Sequence, residues 1–592
     1  MEQVLFLGLN IFAWITILLL VFKFIMLYTG KLPSDVVSFI CVATLLITGT
    51  LTEEQGLAGF GSNPVVTLGV LFILIAGLIH SGVVQWVVNH IMGEPKSEKK
   101  AFLRLMFPVA AISSILNNAA VTILFLNVVK TWAKRIKVAP SKLLIPLSYA
   151  SMIGGTLTVL GSPSNLIIAD IYKTDTGEFM PLLAPTLPAL CCLLICICAT
   201  VYMRKRIPVR KAPEESFESR AEYTVEFLVP SENEAVGMTL EEANLQNVHG
   251  GHLIEIVRFD REVISPVPAD EFILGGDRLV YSGHIQDLLN LRDSRGLVSA
   301  THHVYSSDEV MKNRKLQMAT VVRGGRLEGR RMVDFDFEDK NGVVLVAVAR
   351  EGERIAGMPR EIELHAGDTL LLEGEKLNPM NFSENLIFFD NIALPQESMK
   401  TLLASGIILL MVILSFLDIL SLLNSCLVAA LLMFACRCCS IEQVRDLLNF
   451  KLLLVFVGSY CLGKAVDASG IAAMIADAIM YFSGTNALVG FIMLCVVANL
   501  VTEVTTNAAT AAFFAPVALK MSLELGSNPL AFCIGLMIAI SCSFSTPVGS
   551  DTNLLVYGPG GYKSTDFLRI GIPMDLLLLA ANIFFVSLFF PL

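Results

Sequence analysis

The chain has 592 residues, of which 54% are hydrophobic and 16% charged, with a mean hydropathy of +0.67. Apolar runs near the ~20 residues a bilayer demands recur along it, which excludes a water-soluble globular protein and predicts a polytopic α-helical membrane protein. The formal net charge of −10 argues against a nucleic-acid partner, and the basic residues cluster beside spans, where they report orientation.

Met1-Glu2-Gln3 leads into apolar sequence with neither a basic n-region nor a small-residue cleavage site, so 4–29 is expected as a first span, not a removed signal peptide. Lys31-Leu32-Pro33 divides it from a second span at 33–51, and a third is expected at 64–80, followed by an interfacial helix at 83–92. Lys96, Lys99, Lys100 and Arg104 place the next loop in the cytoplasm. Residues 101–129 are apolar but interrupted at Asn117-Asn118, and neither arm is long enough to cross. Lys130, Lys134, Arg135, Lys137 and Lys142 follow, so both ends are cytoplasmic and a re-entrant hairpin is predicted. A half-helix at 143–160, a break at Gly161-Ser162-Pro163-Ser164-Asn165 and a continuation at 166–172 come next. The span at 181–203 ends in Arg204-Lys205-Arg206; its Cys191, Cys192, Cys196 and Cys198 lack zinc-ligand spacing and are expected as buried free thiols.

Between 207 and 395 charged residues become frequent and short apolar runs alternate with polar ones, as in strands. A repeat lies here. Leu253–Arg261 and Glu271–Tyr281 recur as 344–352 and 362–372, with the Gly-Asp pairs Gly276-Asp277 and Gly367-Asp368 offset by 91 residues. Two small α+β domains in tandem follow from this, at 215–297 and 300–388. Their order of strand, Arg, turn and late Gly-Asp resembles the TrkA-C (RCK-C) domain, which implies a cytoplasmic module that binds a small regulatory ligand. A plain spacer or dimerisation unit reads the same residues equally well. No phosphate-cradling glycine loop follows a strand.

Apolar sequence resumes with spans at 399–419 and 421–436, and Arg437, Arg445 and Lys451 set that loop inside. Span 452–466, Ser469-Gly470 and a helix at 471–479 repeat the earlier order. A second interrupted hairpin at 487–518 breaks near Thr506-Asn507, a half-helix at 529–547 meets the break Gly549-Ser550-Asp551-Thr552-Asn553, and a last span covers 570–590. Each half, 1–206 and 396–592, thus holds five spans plus a hairpin. With a cytoplasmic insert between halves of odd crossing number, the halves run in opposite senses. The first hairpin opens inward, the second outward, and both termini lie outside. That is an inverted-topology repeat with broken helices, an architecture of secondary transporters.

The duplicated polar motifs carry the functional reading. Ser113-Ser114-Ile115-Leu116-Asn117-Asn118-Ala119-Ala120 in one half answers Thr502-Glu503-Val504-Thr505-Thr506-Asn507-Ala508-Ala509 in the other. Asn118 precedes Asn165 by 47 residues and Asn507 precedes Asn553 by 46. Irregular polar backbone survives at membrane depth only where protein or a water-filled cavity covers it. Freed helix N-termini suit an anion, and unwound carbonyls with Ser, Thr and Asn oxygens suit a small hard cation.

These motifs resemble the divalent anion–sodium symporter family of the ion transporter superfamily. The resemblance implies a homodimeric, elevator-type symporter in the cell membrane (the inner membrane of a bacterium), with lipid around it and a small anion, sulfate or dicarboxylate, as substrate. It implies Na+ sites at Ser113, Asn118 and Gly161 and at Thr502, Asn507 and Gly549, and an anion between Asn117, Asn118, Ser162, Thr506, Asn507 and Ser550. The tips read Asn-Asn-Ala and Thr-Asn-Ala where the family has Ser-Asn-Thr, and Asp551 stands where it commonly has Pro. Asp551, with Asn165 and Asn553, is therefore a candidate for coupling; Asp551 reads as a sodium ligand, a proton-coupling site, a carboxylate that disfavours highly charged substrates, or the cap of a half-helix. Glu503 reads as a helix-packing residue. The alternatives are a proton-coupled anion transporter and a channel gated by the TrkA-C-like domains, although no T-V-G-Y-G-like filter occurs. No catalytic motif points to an enzyme.

Overall fold

The computed structural model describes residues 10–29, 34–95, 97–210, 399–417, 419–448, 450–484, 486–547 and 549–592, and the strand-forming parts of 223–388. Lys31-Leu32-Pro33 and the parts of the insert repeat at Asp260-Arg261 and Gly352 lie outside the described residues. The chain divides into two compact units. One comprises Met1–Val209, Asn391–Tyr557 and Lys563–Leu592; the other comprises Arg210–Asp390 and Gly558–Tyr562.

Unit one is helical. Its first half runs α1 (Ile11–Thr29), α2 (Ser34–Ile47), α3 (Glu53–Ala58), α4 (Asn63–His80), α5 (Val83–Val87, prolonged by a π-helical turn), α6 (Glu98–Ser113), α7 (Asn118–Arg135), α8 (Pro140–Gly154), α9 (Pro163–Thr176) and α10 (Thr186–Met203). The second runs α11 (Met399–Phe416), α12 (Leu422–Ala435), α13 (Ile441–Leu447), α14 (Phe450–Ala468), α15 (Ile471–Ser483), α16 (Ala487–Thr502), α17 (Asn507–Glu524), α18 (Pro529–Ser541), α19 (Asp551–Tyr557) and α20 (Ser564–Phe589). Proline opens α8, α9 and α18, where its missing N–H costs nothing and its fixed φ suits the first turn. Gly470 takes φ 80° between α14 and α15, and the two helices bend by 69° there.

Among the described residues, Glu53–His80, α10, α11 and α20 are each long and apolar enough to cross a bilayer alone. The others are shorter because the chain breaks or turns. The pairings between halves are reciprocal: α2 packs on α14 and α4 on α12, α17 on α9 and α7 on α19, and α10 on α20. Within each half, the paired helices α6 and α7 pack on α8 as α16 and α17 pack on α18. Small residues permit the closest approaches. A Cβ on Gly463 would stand 2.7 Å from the Ala512 carbonyl, and one on Gly154 would stand 2.6 Å from that of Ala110.

Both half-helices end earlier than expected. α8 stops at Gly154 instead of 160 and α18 at Ser541 instead of 547. Leu157, Val159 and Leu160, and Phe544, are apolar and so read as helix, yet Val159, Leu160 and Phe544 are buried in irregular backbone. Hydrophobicity reports burial, and burial alone does not specify a helix.

Unit two holds two antiparallel sheets. The first comprises β1 (Tyr223–Leu228), β2 (Asn247–Val248), β3 (Gly251–Arg258), β4 (Glu262–Ile264), β5 (Arg278–Gly283) and β6 (Val298–Ser299). The second comprises β7 (Lys315–Val321), β8 (Val343–Arg350), β9 (Glu353–Arg354), β10 (Thr369–Gly374) and β11 (Leu386–Phe388). Both sheets share one strand order: β4-β3-β5-β1-β6 and β9-β8-β10-β7-β11, with β2 added beside β3. Two apolar cores form: one around Phe227, Ile256 and Tyr281, which Ala347, Ala349 and Leu371 of the second sheet join, and one around Leu345, Leu370 and Leu372.

The repeated residues make a repeated clamp. Arg258 donates from Nε and an Nη to the two oxygens of Asp277 at 3.1 and 3.0 Å, and Arg350 does the same to Asp368 at 2.7 and 2.7 Å. Each aspartate also accepts the N–H three residues before it, from Leu274 and His365. The preceding Gly276 and Gly367 take φ of 93° and 89°, where a side chain would be strained. The Asp277 carboxylate holds the Arg258 guanidinium in its charged form beyond the usual range.

Candidate functional site

Hairpin one is α6 and α7 joined by a tight turn. Asn117 caps α7 by accepting the Ala119 N–H at 3.0 Å. The Asn118 amide, 8% exposed, lies 2.8 Å from Ser113 Oγ, 3.0 Å from the Ser151 carbonyl and 3.2 Å from the Gly161 carbonyl; an NH2 turned toward these three acceptors has two hydrogens to give them. Ser113 Oγ donates to the Ser151 carbonyl at 2.8 Å, and Ser151 Oγ donates back to that of Asn118 at 2.9 Å. No side chain fits where the tip meets the break. A Cβ on Gly155 would overlap the Asn118 amide, and one on Gly161 would stand 2.7 Å from the Ser113 carbonyl.

Hairpin two repeats the arrangement with α16 and α17. Thr506 caps α17 by accepting the Ala509 N–H at 3.3 Å, and Thr502 Oγ1 donates to Asn507 Oδ1 at 2.7 Å. Asn507 and Thr506 are half-buried, and Thr502 is buried.

The two breaks share one hydrogen-bond plan. In the first, Asn165 Nδ2 donates to the carbonyls of Gly155 and Thr158, both at 3.0 Å. Thr158 Oγ1 accepts the Gly161 N–H at 3.2 Å and donates to the Ser114 carbonyl. In the second, Asn553 Nδ2 donates to the carbonyls of Ser543 and Thr546 at 2.8 and 3.0 Å. Thr546 Oγ1 accepts the Gly549 N–H at 2.9 Å and donates to the Glu503 carbonyl at 2.8 Å. Ser162 pairs with Ser164 at 2.8 Å and Ser550 with Thr552 at 2.9 Å. Asn165 and Asn553 thus satisfy backbone carbonyls that the breaks would leave bare, at the same two offsets in each half. Asp551 is exposed at the first turn of α19, where the helix dipole favours a carboxylate.

Three participants escape the motifs. Ser148 on α8 donates to Asn553 Oδ1 at 2.7 Å and pairs with the Thr552 hydroxyl at 3.0 Å, tying the first half to the second break. Ser151, one turn on, completes the Asn118 network. Asp575 on α20 accepts the Phe544 N–H at 3.1 Å and the Ser545 hydroxyl. Its carboxyl lies within hydrogen-bonding reach of Glu503, which itself accepts the Ser545 N–H at 3.2 Å. Glu503 is therefore more than a packing residue: it braces the second break. A Ser pair at i, i+3 and a lone carboxylate inside uninterrupted apolar helices were the only sequence signals for these residues. Among the described residues, no cluster of three or more His, Cys, Asp or Glu side chains could hold a metal ion.

Chemically, each half presents a helix N-terminus with its capping amide or hydroxyl beside carbonyl and hydroxyl oxygens. The donors suit an anion's oxygens, and the oxygens suit a hard cation.

A family model described as "CitMHS: Citrate transporter" matches residues 24–522. An uncharacterized transporter of Synechocystis is 29% identical over 97% of this chain and 97% of its own length. Sodium/sulfate cotransporter 1 of Chlamydomonas reinhardtii is 26% identical over 55% of this chain and 39% of its own. The sodium-dependent dicarboxylate transporter SdcS of Staphylococcus saprophyticus is 26% identical over 25% of this chain and 29% of its own.

Proposed function

The chain belongs to the citrate transporter family, a multi-pass membrane transporter and not an enzyme, and on that premise we propose that it is a sodium-coupled symporter of a divalent anion, sulfate or a dicarboxylate. The observation that carries the proposal is the doubled constellation of capped hairpin tip, adjacent glycine and asparagine-clamped break, the breaks carrying the same bonds in both halves. Reciprocal packing of α7 on α19 and α17 on α9 supports an inverted repeat whose hairpins are re-entrant. The anion lies among Asn117, Asn118, Ser162, Thr506, Asn507 and Ser550. Na+ takes the oxygens of Ser113, Asn118 and Gly161 in one half, where the Asn118 amide turns its Oδ1 inward in place of its NH2, and of Thr502, Asn507 and Gly549 in the other. Asn165 and Asn553 act by holding the breaks open, and Asp551 completes an N-terminus. The names of the algal and staphylococcal relatives, a sodium/sulfate cotransporter and a sodium-dependent dicarboxylate transporter, support sodium as the coupling ion.

An elevator movement in a homodimer, surrounded by lipid, carries the site across. The insert is cytoplasmic and both termini lie outside. Its two sheets, of one strand order with one Arg–Asp clamp each, support a pair of TrkA-C-like domains that bind a small regulatory ligand. The test is uptake by proteoliposomes under an inward sodium gradient, with sulfate, thiosulfate, succinate, malate and citrate as competitors. Saturable uptake that collapses with the gradient is expected. Uptake indifferent to sodium, or flux of an ion alone, overturns the assignment.

A further inference from the structure

Lys23 is the lone charged residue in α1. Leu18, Val21 and Ile25 on that helix are 64%, 49% and 45% exposed, whereas Lys23 is 4% exposed and turned into the protein. Its Nζ donates to Ser459 Oγ on α14 at 3.0 Å. An ammonium has three N–H donors, and among the described residues this is its one hydrogen bond. The titratable groups that face it are the thiols of Cys41 on α2 and Cys461 on α14; α17 contributes Ala509, Ala512 and Phe513. Among the described residues, no carboxylate stands opposite.

The space beside Lys23 is not filled by packed hydrocarbon. Lys23 and Ser459 line a small cavity closed by Leu462, Gly463, Ala509 and Phe513, with room for a single water-sized group. Gly463 is where α14 and α17 come closest. One wall of the cavity is therefore the first turns of hairpin two, just after Asn507. A charged side chain inside a span calls for a functional reason and a named partner, and a buried lysine carries or releases a proton according to the water and hydrogen bonds within its reach.

We propose that Lys23 is a proton-binding site of the transport cycle, holding a proton and one water against hairpin two. With α17 docked on α14, the ammonium is held by Ser459 and the enclosed water. When hairpin two moves, the cavity opens and Lys23 exchanges its proton with water, Lys–NH3+ and H2O giving Lys–NH2 and H3O+. Proton occupancy thereby sets how readily hairpin two moves. The inference rests on the transporter reading above.

The test is the pH profile of sodium-driven anion uptake by the full-length protein, with the sodium gradient clamped and pH equal on both sides. Wild type is expected to change rate at least threefold across pH 6 to 9, and K23M to lose that limb. S459A removes an acceptor of the charged amine; it is expected to keep the limb and move it toward acid by about one pH unit. A wild-type profile already flat overturns the proposal alone, as does a limb that survives in K23M. A K23M variant with raised KM for the anion and an unchanged profile makes Lys23 an anion contact and also overturns it. Wild type without sodium-driven uptake at any pH overturns the transport reading first, and this proposal with it.

Discussion

Replacing Gly161 by alanine tests the tip-to-break contact most sharply. Its Cβ would stand 2.6 Å from the Gly155 carbonyl oxygen and 2.7 Å from that of Ser113, both backbone atoms that no rotamer change can move. Restoring ordinary contact separates the break from hairpin one by roughly 0.7 Å. Overpacking of this kind costs about 1–3 kcal/mol, and displacements near 1 Å in a binding constellation cost about 100-fold in rate. Gly549→Ala is the internal comparison. Its added methyl would meet Thr546 Oγ1 at 2.8 Å and the Ser543 hydroxyl, flexible groups that can rotate away, and backbone only at Glu503 Cα, 3.1 Å off. A loss of about tenfold, or ~1.4 kcal/mol, is expected there. Gly69→Ala is the control, since nothing lies within 4 Å of its added methyl. Uptake of labelled sulfate and succinate is measured in proteoliposomes, normalised to monodisperse protein. Gly161→Ala retaining the activity of Gly69→Ala would refute the reasoning.

Asn165→Ala and Asn553→Ala each remove two hydrogen bonds to break carbonyls, about 2 kcal/mol in all. Faster amide exchange over 155–162 and over 542–550 respectively is expected, and the larger loss at Asn553, whose removal also strands Ser148. Asp277→Ala removes the two-pronged partner of Arg258, which keeps Glu271 at 3.1 Å and the Phe272 carbonyl at 2.9 Å, and strips the Leu274 N–H of its acceptor; it should destabilise the first sheet by about 1–3 kcal/mol. Limited proteolysis of the full chain reads this as new cleavage within 223–299, while Asp277→Glu, which keeps the charge, is milder.

Much of the site was legible because polar residues are conspicuous in apolar sequence. Asn117-Asn118, Thr506-Asn507 and the two Gly-Ser-x-x-Asn stretches interrupt hydrophobic runs, and backbone at membrane depth needs such residues to satisfy it. The Gly-Asp repeat of the insert was legible for a similar reason, since a left-handed glycine followed by an Arg-paired aspartate leaves a fixed spacing. The extent of the breaks was not legible: residues 155–160 and 542–547 are apolar or small, and their irregular backbone is held by Thr158, Asn165, Thr546 and Asn553 from within the fold. Ser148, Ser151, Lys23 and Asp575 were hidden for the opposite reason. Ser148 and Ser151 share α8, Lys23 lies in α1 and Asp575 in α20, and each meets its partners on a segment distant in sequence, with no motif there to betray it.

The account stands or falls on both hairpin tips holding one anion. Equilibrium binding of labelled substrate to purified protein in saturating sodium measures this directly, in wild type, Asn118→Ala and Asn507→Ala. Each single replacement should weaken binding at least tenfold, and the pair together should do little more than either alone. Wild-type affinity in both single variants, at normal folding, would contradict it.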